Sequence, residues 1–119
     1  MRIDHVALLV ADLERAARFY EGVLGLTRLP RPALGFDGIW YALADGQSLH
    51  LMRLDDPCTG CTRPTHGGRD WHLALAVEDL EALRARLDAI GWAYTMSRSG
   101  RRALFCRDPD RNVLELSAR

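Results

Sequence analysis

The chain has 119 residues, enough for a core without disulfide staples. Sixteen arginines offset sixteen acidic residues, lysine is absent and the net charge is zero, so no general field draws in nucleic acid or a membrane surface. No apolar run approaches the ~20 residues that span a bilayer. Asp4 and His5 fall where a signal peptide needs unbroken apolar residues, and three cysteines make no disulfide framework, so a cytoplasmic protein is expected.

Residues 5–14, HVALLVADLE, return at 72–81 as HLALAVEDLE, identical at seven of ten positions. Each copy reads as a strand, an Asp placed to cap a helix, and the start of a helical pattern. The spacing predicts a strand over 3–10 and a helix from Leu13, with Leu13, Ala16, Ala17, Tyr20 and Leu24 on one face and Gly25 as its C-cap. Strands follow over 26–30, 39–43 and 48–53, with a loop over 30–38 and a hairpin turn over 44–47. Residues 55–69, rich in Gly and Pro, read as a connector. The second copy predicts a strand over 71–77 and a helix presenting Leu80, Leu83, Leu87 and Ile90. Strands over 92–96, 102–106 and 113–117 complete it, with the last turn over 108–112. The order is βαβββ twice: module 1 over about 1–54, linker over about 55–69, module 2 over about 70–119. That predicts one α+β domain, with a curved, mostly antiparallel sheet around a cavity.

Strand alternation places the polar side chains. His5 lies with Ala7 and Leu9, and His72 with Ala74 and Ala76, while the bulkier neighbours point to the opposite face and its helix. In each module's last strand, Leu49 and Leu51, or Leu114 and Leu116, face the helix, leaving His50 and Glu115 on the other side. A pseudo-twofold relation between the modules would gather His5, His50, His72 and Glu115, three imidazoles and a carboxylate, into a site for one divalent ion (Zn, Ni, Fe, Co or Mn).

His5 within IDHVALLVADLERAARFYEGVLGL, His72 heading HLALAVEDL, and Glu115 after DPDRN resemble the vicinal oxygen chelate superfamily, over essentially the whole chain. That group includes glyoxalase I, methylmalonyl-CoA epimerase, fosfomycin-resistance enzymes, extradiol dioxygenases and bleomycin-resistance proteins. The resemblance implies paired βαβββ modules, usually in homodimers. It puts His5, His72 and Glu115 at metal-ligand positions, with His50 where a fourth ligand, commonly Glu or Gln, sits. It also implies a metal that accepts two neighbouring substrate oxygens and polarises a carbonyl, and a lyase, isomerase or dioxygenase reaction on a small oxygenated molecule. Glu115 is the candidate base as well as ligand, and His50 the other candidate proton carrier. Phe36, Trp40, Tyr41 and Met52 are candidate apolar pocket walls, and Arg98, Arg101 and Arg102 candidate anion contacts.

The pattern departs from glyoxalase I, where the positions of His50 and Glu115 are both carboxylates and an arginine stands at the position of Leu9 to hold glutathione. Arg111 replaces the usual glycine of the last turn. For an extradiol dioxygenase, His5, His72 and Glu115 match the two-His-one-carboxylate triad, but His50 would crowd it. The alternative to an enzyme is a bleomycin-resistance type of module that sequesters a small molecule without a metal. Cys58 and Cys61, with His66 nearby, have the spacing of a zinc or dithiol pair, but no second pair exists to complete a zinc site.

Overall fold

A computed structural model describes residues 1–119, which divide into two compact units, Met1–Thr59 and Gly60–Arg119. The boundary falls inside the segment read as a connector.

The first unit contains β1 (His5–Val10), α1 (Leu13–Tyr20), β2 (Arg28–Leu29), β3 (Gly38–Ala42) and β4 (Ser48–Arg53). The second repeats the order with β5 (His72–Val77), α2 (Leu80–Ala89), β6 (Tyr94–Met96), β7 (Ala103–Arg107) and β8 (Val113–Ala118). The sheets run β1-β4-β3-β2 and β5-β8-β7-β6. In each, the first strand is parallel to the last and the remaining pairings are antiparallel, so the α+β, mostly antiparallel reading holds. The sheets are mixed, and neither closes into a barrel.

Both helices start as the sequence dictates. Asp12 accepts a hydrogen bond from the Arg15 amide at 2.9 Å, and Asp79 accepts one from the Ala82 amide at 2.9 Å. Each satisfies a first-turn donor that has no partner in the helix, a contribution of about 1 kcal/mol. α1 ends earlier than expected, at Tyr20, with Glu21 as its C-cap. Gly25, at φ 74°, closes the turns that follow, while Gly91, at φ 66°, directly follows the Ile90 C-cap of α2. Both lie in the left-handed region that glycine tolerates.

In the first unit, Ala16, Phe19 and Tyr20 are buried with Ile39, Tyr41, Leu49 and Leu51 of the sheet. Tyr20 and Tyr41 stack at 5.9 Å, and the Tyr41 hydroxyl donates to Glu21 at 2.9 Å. Tyr41 therefore belongs to the core, not to a pocket wall. In the second unit, Leu80, Leu83 and Leu87 are buried with Leu104, Leu114 and Leu116. Each fully buried leucine contributes about 1.5–3 kcal/mol by leaving water. Cys106 lies in the same layer, and burial pushes its thiol up to about 12.

The differences from the expected elements lie at the ends. Ile90 is not part of the buried helix face: the helix ends at Ala89, and Ile90 is its C-cap and 55% exposed. β2 and β6 are shorter than the apolar runs suggested, since only 28–29 and 94–96 find a ladder partner. The end of the connector is structured. Residues 66 and 67 are buried, and Gly67–Arg69 form a 3₁₀ turn against β7 and β8.

Candidate metal centre

The register confirms which side chains share a face within each unit. In the first, Ala7 pairs with His50, His5 with Ser48, and Trp40 with His50. His5, Trp40, His50 and Met52 thus lie on the face opposite Leu49 and Leu51. In the second, Ala74 pairs with Glu115, His72 with Val113, and Phe105 with Glu115. His72 and Glu115 lie opposite Leu114 and Leu116.

The second unit brings its two expected donors together. His72 Nε2 stands 3.2 Å from Glu115 Oε2, and Glu115 is 5% exposed. His72 Nδ1 lies 2.8 Å from the carbonyl oxygen of Asp70. A carbonyl can only accept, so Nδ1 carries a hydrogen, and Nε2 is the nitrogen turned toward the carboxylate. Two electron-rich atoms in that position call for a cation between them, either a proton or a metal. Two ligand atoms about 2.0–2.1 Å from one ion stand roughly 3.3 Å apart at a tetrahedral angle. The observed spacing fits. His5 repeats the arrangement, its Nδ1 being 2.8 Å from Asp4 Oδ2, which leaves Nε2 for a ligand. Tying down the far nitrogen with a carboxylate or carbonyl is how proteins orient metal-binding imidazoles.

His50 is placed differently. Its ring is stacked between Trp40 (4.1 Å, 7°) and His5 (4.3 Å, 11°), and its Nε2 is 2.9 Å from Ser48 Oγ. An imidazole binds a metal in its own plane, and two nearly parallel stacked rings do not share an in-plane point. For His50 to join His5 on one ion, one ring must turn, breaking the stack. Burial, and then the neighbouring His5, hold the His50 imidazolium below the usual histidine range. Donors come in pairs in each unit, and neither unit gathers a group of three His, Cys, Asp or Glu side chains.

The second carboxylate oxygen of Glu115 is also engaged. Arg101 Nη2 stands 3.2 Å from Oε1, with the guanidinium 63% exposed. A cleft of about 340 Å³ opens beside this pair, between the 66–69 turn and the 97–101 loop. In the first unit a cleft of about 380 Å³ is lined by Phe36 and by Arg31, whose guanidinium lies 5.0 Å over the Phe36 ring. Arg102 is exposed and lines neither cleft; Arg98 and Arg101 line the cleft in the second unit.

Sequence reasoning missed Asp70. Its carboxylate is met by Arg63 Nε at 2.8 Å and Arg107 Nη2 at 3.0 Å, while its carbonyl fixes His72. Burial alone would raise the Asp70 carboxyl, but the hydrogen bonds from Arg63, Arg107 and the Trp71 amide outweigh it and hold the carboxyl below the usual range. A carboxylate depressed in the folded state stabilises the protein above its unfolded pKa of ~3.9, and that contribution is lost as pH falls through the folded value. Asp70→Asn should therefore cost stability at pH 7, by roughly 1.5–3 kcal/mol for charge-assisted bonds, and the gap from the parent should close below about pH 4. Urea melts across pH check this; a gap independent of pH would overturn it. No local motif marks Asp70, because its partners lie 7 and 37 residues away.

The cysteines are thiols, Cys58 partly exposed and Cys61 exposed. The Cys58 amide donates to Asp56 at 2.7 Å within a turn.

Twin βαβββ units, each with a pair of ligand-type side chains on the sheet face away from its helix, define the class of two-module α+β proteins to which the comparisons point. The profile of the Glyoxalase/Bleomycin resistance protein/Dioxygenase superfamily matches residues 2–116, and the chain belongs to that superfamily. It is 31% identical over 86 residues to mitochondrial methylmalonyl-CoA epimerase of Homo sapiens, covering 68% of this chain and 49% of that protein. The chain thus spans about half the length of the mitochondrial epimerases it matches. It is 32% identical to virulence protein STM3117 of Salmonella typhimurium, covering 98% of this chain and 83% of that one. It is also 29% identical to lactoylglutathione lyase of Haemophilus influenzae, covering 97% and 90%. A glyoxylase/bleomycin resistance protein/dioxygenase domain from Frankia sp. EAN1pec has the same fold, with a TM-score of 0.76, 30% identity, and coverage of 99% and 97%. The fosfomycin resistance protein FosX of Listeria monocytogenes, solved with Mn(II) and a dihydroxypropylphosphonic acid, superposes with a TM-score of 0.74 at 17% identity, covering 98% and 91%. No helix is long and apolar enough to cross a membrane.

Proposed function

We propose that this chain is a divalent-metal-dependent enzyme acting on a small oxygenated substrate by a lyase, isomerase or dioxygenase reaction. Its donors would be His5, His72 and Glu115. His50 would be a fourth donor once its ring turns, or a proton carrier in its stacked position. The observation that carries this reading is the His72–Glu115 pair, an imidazole Nε2 held 3.2 Å from a buried carboxylate while the Asp70 carbonyl fixes Nδ1. When bound, the ion supplies a Lewis acid for two neighbouring substrate oxygens. The protein supplies the rest. Glu115 would act as ligand and proton acceptor through Oε2, the oxygen that faces His72, while Arg101 steadies its charge at Oε1. Trp40 and Met52 give an apolar surface beside His50. Metal analysis of the purified protein, then activity screening with that metal restored, tests the reading. Protein without stoichiometric metal, and inert after reconstitution, would count against it.

Activity on the hemithioacetal of methylglyoxal and glutathione should be poor. Leu9 gives the glutathione carboxylate no charged partner, a loss of roughly 1.5–3 kcal/mol or about tenfold to a hundredfold in binding. A steady-state kcat/KM above about 10⁴ M⁻¹s⁻¹ with any reconstituted metal would make it a glyoxalase after all.

The chain is further proposed to act as a homodimer. β1 and β2, and β5 and β6, are sheet edges, and Ile3 (62% exposed) and Trp71 (82%) are large exposed apolar side chains beside β1 and β5. Sedimentation at micromolar concentration should show twice the chain mass of 13.4 kDa; a monomer alone would refute the proposal.

A further inference from the structure

The cleft of the second unit holds more cationic groups than Glu115 requires. His66, Arg69, Ser97, Arg98 and Arg101 line it with Glu115, the one carboxylate among its lining residues. Both oxygens of Glu115 are engaged, by His72 and by Arg101. Arg69 and Arg98 remain as exposed guanidiniums in the lining, where the one carboxylate, Glu115, is already met by Arg101.

His66 forms the inner wall. It is 8% exposed and lies edge-on to Phe105, with ring centroids 5.1 Å apart. Its Nδ1 is 2.7 Å from Thr95 Oγ1, which leaves Nε2, beside Gly68, as the remaining polar atom of the ring. Burial, then Arg98 and Arg69, hold its imidazolium below the ordinary histidine range, so the ring is neutral near pH 7 and both guanidiniums are close enough to act on it. The wall is built with care: a Cβ on Gly68 would meet His66 Nε2 at 2.8 Å. Ser97 and Ser99 bond each other at 3.0 Å and hold the opposite loop.

We propose that this cleft is a subsite for an anionic group of the ligand, of the carboxylate or phosphoryl class, with Arg98 and Arg69 pairing its charge and His66 Nε2–H donating to one of its oxygens. The Thr95 hydroxyl then donates to Nδ1, which places the imidazole hydrogen on Nε2. Guanidinium forks match the planar or tetrahedral oxygens of such groups, and a neutral imidazole donor adds direction without a further charge to bury. As a substrate subsite this rests on the metal-enzyme reading above, but binding of the anion does not need the metal.

The test uses the full chain, stripped of metal with a chelator and labelled with ¹⁵N. Inorganic phosphate and malonate are titrated separately, following backbone amides, arginine Nε and the histidine ring nitrogens. Saturable shifts centred on residues 66–69 and 97–101 are expected, with the His66 nitrogens reporting hydrogen on Nε2. Whichever probe binds more tightly identifies the source class. Arg98→Ala should weaken binding at least tenfold and His66→Gln several-fold, whereas Arg18→Ala, on α1, should leave it unchanged. Amide spectra of the variants away from the cleft verify that they fold. Shifts that do not saturate, that spread over surface arginines, or that survive Arg98→Ala would overturn the subsite. Saturable binding by a protein that binds no metal would leave the subsite standing and remove the metal-enzyme reading instead.

Discussion

Replacing Glu115 with Gln or Ala is expected to weaken divalent-metal binding by at least an order of magnitude and to abolish metal-dependent activity, while folding changes little. The two effects separate because of how Glu115 is surrounded. It is buried on the strand, but its partners are not: His72 and Arg101 have side-chain exposures of 30% and 63%. Breaking a buried ion pair is costly when the partner is left charged and desolvated. Here Arg101 can return to water, so the loss of stability should stay within about 1–2 kcal/mol. Loss of an anionic ligand has no such relief. His72→Ala should match it in metal affinity. Calorimetric titration with Zn²⁺, Ni²⁺ and Mn²⁺, alongside thermal melts, gives both quantities. Metal affinity unchanged in both variants would remove the site from these residues. An unfolded Glu115→Gln protein would show instead that the carboxylate is structural.

Gly67→Ala should destabilise the second unit and alter its cleft together. A Cβ at residue 67 would meet Val113 Cγ1 at 2.6 Å and Phe105 Cβ at 3.0 Å. Both are in the sheet, Val113 is 2% exposed, and neither can move aside cheaply. Overpacking of this kind costs typically about 1–3 kcal/mol. For a chain of this size, each kcal/mol should lower Tm by roughly 4 °C. Relief would come by lifting the 3₁₀ turn from the sheet, which carries His66 off Thr95 and Phe105 and shifts Asp70, the holder of His72. Gly60→Ala has nothing within 4 Å of the added Cβ and should behave as the parent. A melt in which Gly67→Ala equals Gly60→Ala would show that the turn yields without cost.

Local rules made much of the chain legible. The repeat at 5–14 and 72–81 announced twin units, and Asp12 and Asp79 capped helices where capping chemistry requires them. Two-residue alternation in 48–53 and 113–118 put His50 and Glu115 on the faces opposite Leu49 and Leu114, since a strand offers its side chains no other choice. Ile90 shows the limit of periodicity, which continues past the residue where a helix stops.

What the sequence by itself determined is the order of elements, the face on which each candidate donor lies, and the family. The tertiary structure alone decided how each donor is held. His5 and His72 have their Nδ1 atoms tied to Asp4 and to the Asp70 carbonyl, while His50 is locked in a stack with Trp40. It also decided that the end of an apparent connector packs on the second sheet and brings His66 to a cleft with Arg98. The reason is physical: strand faces and helix caps follow from neighbours a few residues apart. Ring orientation, ion-pair partners and the close approach of Gly67 to Val113 depend on atoms dozens of residues away, which no local pattern records.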